Sequence, residues 1–171
     1  MKKRGQILGL PFSVIFSIIL IIFFIVAAII AISIFWNPNK CAFSDRTQEG
    51  QFKLDLQSAI DDAWNSERSG SDFKISLPGK ISHVCFFDPG KKAMGKNGNL
   101  SKELELYSEG KKNNLYLYPP QNGCEEFRGI IIEHINLEEI TKQNNPYCVE
   151  NSGKAIFRIE KGFYDKLVKI S

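Results

Sequence analysis

Residues 14–36 read VIFSIILIIFFIVAAIIAISIFW, a run of Ile, Leu, Phe, Val and Ala interrupted only by Ser17 and Ser33. As a helix, these 23 residues extend roughly 35 Å, enough to cross a hydrocarbon core of roughly 30 Å with some tilt. A buried core helix would normally carry a polar stripe, and this one carries none. Trp36 stands at its distal end, where an indole favours the headgroup boundary, and Asn37-Pro38-Asn39-Lys40 ends the helix. A cleaved signal peptide has a shorter apolar core of about 7–15 residues. The reading is therefore a retained anchor spanning residues 7–36.

Working outward, residues 5–39 hold no charged side chain, and Lys2, Lys3 and Arg4 precede them. Basic residues before a span stay on the cytoplasmic side, which makes residues 1–6 a cytoplasmic tail and places everything after the anchor outside. The chain has 171 residues, leaving room after the anchor for one ordinary domain. The net charge of +3 resides entirely in the tail, because residues 37–171 carry 19 basic and 19 acidic side chains. That balance argues against nucleic-acid binding, which needs a clustered basic face. The expected partners are membrane lipid, copies of the chain through the apolar helix, and proteins at the cell surface.

After a linker at residues 37–46, the span 47–68 has helical periodicity. Phe52, Leu56, Ala59, Ile60, Ala63 and Trp64 recur at spacings of three and four, with Lys53, Gln57, Asp61 and Glu67 on other faces. Ser69-Gly70-Ser71 is expected to stop it. From residue 72 the period becomes two: Phe73-Lys74-Ile75-Ser76-Leu77, a Pro78-Gly79 turn, and a returning strand from Ile81 to Phe87 predict a hairpin. In that second strand Ile81, Cys85 and Phe87 face one way and Val84 and Phe86 the other, so both faces call for cover. Residues 88–101 read as an exposed loop.

A second hairpin is predicted across residues 103–118, with Leu104 and Leu106 opposite Leu115 and Leu117. Residues 129–137 are β-rich. Ala155-Ile156-Phe157-Arg158-Ile159-Glu160 alternates before a Lys161-Gly162 turn and a closing strand at residues 167–170. The expected fold of residues 47–171 is α+β, an amphipathic helix packed on one antiparallel sheet of about five to seven strands.

Cys41, Cys85, Cys124 and Cys148 all follow the anchor. Outside a membrane an even set of thiols pairs, so two disulfides are expected. The favoured pairing is Cys41–Cys85 with Cys124–Cys148. The alternative joins Cys85 to Cys148, both in short apolar segments able to lie side by side. Spacings of 44, 39 and 24 do not suit a metal site, and no metal or cofactor is expected. His83 and His134 stand without a sequence partner, and are read as partly buried, hydrogen-bonded residues. The pairs Asp61-Asp62, Glu125-Glu126 and Glu138-Glu139 are read as solvated charge, since adjacent side chains on a helix or strand point apart. GxSxG, P-loop and GxGxxG patterns are absent. No catalytic residue is assigned. Asn99-Leu100-Ser101 is a glycosylation sequon with Asn99 as acceptor. The tyrosines, 107, 116, 118, 147 and 164, are read as strand filler.

The opening Lys2-Lys3-Arg4-Gly5-Gln6, followed at once by an apolar helix, resembles the class III signal of archaeal type IV pilin-like proteins. That resemblance implies peptidase processing between Gly5 and Gln6, leaving the apolar helix as assembly stalk and temporary anchor. The general plan of apolar helix, amphipathic helix and disulfide-bearing sheet is also similar. Leu10 stands where many pilins carry glutamate, and Gly9 with Pro11 interrupts the helix start. Three functions follow as expectations: a membrane-anchored, non-enzymatic binding or scaffolding domain; a pilin-like structural subunit; and a membrane-tethered enzyme.

Overall fold

The computed structural model of the chain describes residues 12–35, 46–108, 112–124 and 128–171. The chain divides into two units, Met1–Asn39 and Lys40–Ser171. In the first, helix α1 spans Phe12–Phe35. Its side chains from Val14–Ile32 are exposed, a long apolar surface. The expected tail, the Gly5 and Gln6 processing position, Trp36, and nearly all of the linker lie outside the described residues.

The second unit begins with α2, Arg46–Asn65. Its apolar stripe is buried as its spacing predicts, with Phe52, Leu56, Ile60 and Ala63 all in the main core. Trp64 stays partly exposed at the helix end. The helix stops at Asn65, whose side chain donates back to the Asp61 carbonyl. The expected stop signal Ser69-Gly70-Ser71 instead opens strand β1, Ser69–Ile75.

Among the described residues, six strands form two three-stranded antiparallel sheets rather than one larger sheet. In the first, β1 pairs with β5 (Ala155–Lys161), which pairs with β6 (Lys169–Ile170). In the second, β2 (His83–Phe86) lies between β3 (Leu115–Tyr118) and β4 (Tyr147–Glu150). The hairpin predicted across residues 73–87 therefore does not form. Phe73 and Ile75 find their partners 80 or more residues away, opposite Phe157 and Ala155. Residues 76–82 instead cross between sheets, pinned by buried Leu77 and Ile81. Their turn closes from the Ile81 N–H to the Pro78 carbonyl (2.9 Å), one residue later than expected.

Residues 103–118 are corrected likewise. Ser101–Ser108 is helix α3, preceded by a 3-10 turn at Gly98–Leu100. Leu104 is fully buried and Leu106 is 71% exposed, so the two leucines face apart. The buried set Ser101, Leu104 and Ser108 has helical spacing, and Lys102, Glu103, Leu104, Glu105 and Leu106 are strong helix formers. Residues 129–137 join the ladders only through single bridges, Ile130 to Leu115 and Ile135 to Val168, before the short helix α4, Leu137–Ile140.

As predicted, both faces of β2 are covered, although Ile81, expected on the Cys85 side, joins the main core instead. Val84 and Phe86 join the main core with Leu115 and Leu117. Cys85 points to a smaller core with Phe87, Leu104 and Tyr116, which α3 closes. Phe157 ties the sheets together, tilted against Phe73 of β1 (5.2 Å) and edge-on to Phe86 of β2 (5.9 Å). Outside the ladders, asparagine side chains act as staples. The buried Asn145 amide donates to the carbonyls of Asp88 (2.9 Å) and Lys91 (3.0 Å) and accepts from the Asp88 N–H (3.0 Å), folding down the Gly- and Lys-rich loop. Asn151 does the same for the crossover, donating to the Ile81 carbonyl at 2.7 Å.

Among the described residues one disulfide is seen, Cys85–Cys148, directly opposite one another on β2 and β4. The favoured pairing is thus overturned in favour of the alternative. Cys148 lies against the smaller core, whereas Cys124 is buried in the main one, so those two approach the centre from different sides. Cys41 lies outside the described residues.

Candidate functional site

The pairing of β1 with β5 gathers charged side chains from three separate segments into one cleft of about 480 Å3. Along β5, Ala155, Phe157 and Ile159 point into the core, which turns Arg158 and Glu160 outward. The register sets Ser69 opposite Lys161, Gly70 opposite Glu160 and Asp72 opposite Arg158. Gly70 lets Arg158 lie close over β1: a Cβ on it would be 3.1 Å from Arg158 Nη2, so the guanidinium would have to shift by a few tenths of an ångström. The cleft is lined by four cationic side chains, Arg68, Arg158, Lys161 and Lys169, and two carboxylates, Glu160 and Asp165.

These charges are unequally matched. Lys161 Nζ donates to the carbonyls of Trp64 (2.6 Å) and Ser66 (2.8 Å), capping the C-terminal end of α2. Lys169 Nζ lies 3.1 Å from Asp165 Oδ2. The Gly162 N–H donates to the same oxygen at 3.0 Å. That backbone bond, then Lys169, holds the Asp165 carboxyl below its ordinary range. Arg158 reaches Asp72 and Glu160 only at 3.4 Å, with all three exposed. Arg68 has no ion pair or hydrogen bond among the described residues. The buried Ser69 Oγ likewise has no partner. The cleft thus combines excess positive charge with two unused donors.

Beside it, Gly162, Phe163, Tyr164 and Asp165 form a tight turn closed from the Asp165 N–H to the Gly162 carbonyl (3.0 Å). Phe163 is 64% and Tyr164 93% exposed, their rings edge to face at 5.1 Å.

A second constellation joins α2 to the segment before α4. His134 Nδ1 lies 2.9 Å from Asp61 Oδ1, and its ring stacks on Trp64 at 3.8 Å and 2°. The hydrogen bond with His134, foremost, lowers the Asp61 pKa. His134 has a left-handed backbone, φ 64°, and Gln57 accepts from the Glu133 N–H (2.9 Å) next to it. This is a clasp: it fixes a loop to the helix, and its geometry matches the reading of His134 as a partly buried, hydrogen-bonded residue.

The other sequence candidates sit elsewhere. His83 Nδ1 lies 3.0 Å from Ser82 Oγ on the second sheet. Asn99 is exposed in the 3-10 turn before α3. Glu139 pairs with Lys142 at 3.3 Å, while Glu125 and Glu126 lie outside the described residues. Among the tyrosines, Tyr116, Tyr118 and Tyr147 are in strands, Tyr107 is in α3, and Tyr164 stands on the turn. Burial pushes Tyr116 up to about 12. Among the described residues no group of three or more His, Cys, Asp or Glu side chains is placed to hold a metal ion. Sequence reading did not single out the cleft, because Arg68, Arg158, Lys161 and Lys169 each look like ordinary surface charge. No protein-family model, curated protein or solved structure matches the chain.

Proposed function

We propose that this chain is a single-pass membrane-anchored surface protein whose second unit is a non-enzymatic, extracytoplasmic binding or scaffolding domain. The observation that carries the reading is α1: its apolar side chains at Val14–Ile32 are exposed, and burying such a surface in lipid is strongly favoured. The Cys85–Cys148 bond supports an oxidising location for the following unit. We assign the second disulfide to the two remaining cysteines, Cys41 and Cys124. The test is fractionation of cells making the full chain, with protease added to intact spheroplasts. The expected result is a carbonate-resistant membrane protein whose C-terminal unit is cleaved from outside. A chain released by carbonate, or protected from protease until lysis, would refute the reading.

The pilin-like alternative draws on the same exposed apolar helix, followed by an amphipathic helix packed on antiparallel strands. In that version α1 bundles with copies of itself after cleavage. Intact mass of the native protein decides it: a chain beginning at Gln6 supports assembly, and one beginning at Met1 rules out the processed form.

A further inference from the structure

We infer that the cleft between β1, β5 and the β5–β6 turn is a phosphate-binding site, taking the phosphoryl group of a soluble ester or of a lipid headgroup. The inference rests on the binding-domain reading and names its ligand chemistry. Four cations gathered round one opening repel one another, and the two lining carboxylates together with Asp72 against Arg158 leave a net positive charge. A bound phosphoryl anion offsets that charge. The donor geometry agrees. Arg68 offers a planar fork with no partner among the described residues, suited to two oxygens of one phosphoryl group. Ser69 also lines the cleft, and its Oγ is buried without a partner, a costly state for a hydroxyl. Arg158 is held to its carboxylates only at 3.4 Å, so turning toward a ligand sacrifices little.

Nucleic acid fits less well, because the unit is charge-balanced and a polyanion needs an extended basic face. The two sources of phosphate differ in their demand on the turn. A membrane surface engages exposed aromatics beside basic residues, which gives Phe163 and Tyr164 a role only for the lipid.

The experiment uses the full chain in zwitterionic nanodiscs. Inorganic pyrophosphate is titrated calorimetrically in one arm, and binding to phosphatidylglycerol vesicles is measured by co-flotation in the other. Saturable binding in either arm is expected, falling at least tenfold in Arg68→Ala and in Arg158→Ala, and staying unchanged in Lys102→Ala on α3. Loss of vesicle binding alone in the Phe163→Ala, Tyr164→Ala double variant identifies the lipid headgroup. Pyrophosphate binding by a wild type that does not float with the vesicles identifies a soluble phosphate. Each variant's melting temperature is recorded, and Arg68→Lys, which keeps the charge but loses the fork, is expected to recover only part of the affinity. Absence of binding in both arms, or equal binding by the arginine variants and wild type, overturns the site. Either result leaves the membrane-anchored reading intact, since fractionation decides that separately.

Discussion

Phe157→Ala tests whether the two sheets share one core. Phe157 is 2% exposed on β5 and touches rings on both sheets, Phe73 at 5.2 Å and Phe86 at 5.9 Å. Truncating a buried phenylalanine costs about 3–5 kcal/mol through lost transfer energy and the cavity left behind. Each aromatic pair adds about 0.5–1.5 kcal/mol, which keeps this site above the lower end of that range. A domain of this size has about 5–15 kcal/mol of total stability, so a loss near 4 kcal/mol leaves a marginal fold. At about 4 °C per kcal/mol, the melting temperature should fall by about 15 °C. The neighbouring Ile156 is 49% exposed on the same strand, and Ile156→Ala should cost within about 0.5 kcal/mol. The assay is urea unfolding of the full chain in detergent, followed by both far-ultraviolet circular dichroism and tyrosine fluorescence. Coincident curves shifted together are expected. A cost below about 1 kcal/mol, or a shift in one probe only, would refute a shared core.

Three further outcomes follow from other contacts. Replacing Cys85 and Cys148 by alanine opens a link with a sequence separation of 63, and the chain-entropy relation gives a loss of about 4 kcal/mol; a midpoint shift equivalent to under 1 kcal/mol would count against it. Asn145→Ala removes three hydrogen bonds within the buried staple and should cost about 3 kcal/mol, with faster hydrogen exchange in residues 88–94 as the local readout. The Asp61 carboxyl is held low by His134, so its folded pKa lies below its unfolded one. Its contribution is therefore present above the carboxylate range and lost as pH falls through the folded pKa. Asp61 is 42% exposed, which limits the effect to about 0.2–1 kcal/mol. Wild type should unfold at higher urea than Asp61→Asn at pH 6, with the gap closing toward pH 3. A gap that widens on acidification would contradict the clasp.

What was legible in the sequence is what depends on one segment at a time. The stripe of Phe52, Leu56, Ile60 and Ala63 and the alternation from Ala155 to Glu160 each report which side of an element is buried, and the structure buries those sides. What failed depends on partners. Two leucines at spacing two, Leu104 and Leu106, cannot by themselves distinguish a strand from a helix of eight residues. Phe73 and Ile75 carry no mark pointing to Phe157 and Ala155 rather than to the strand just downstream. The cleft was hidden for the same reason: its cations come from residues 68, 158, 161 and 169, and an evenly balanced charge count conceals their convergence. Yet the two kinds of information are linked. Slipping β1 by one residue against β5 would expel Phe73 and Ile75 from the core and bury Asp72 and Lys74. The apolar pattern therefore fixes the register, and that register alone puts Ser69 opposite Lys161 and the bare Gly70 beneath Arg158. The charged cleft is positioned by hydrophobic residues that never touch its ligand, so a mutation that shifts the β1 register should abolish phosphate binding while leaving every cation in place.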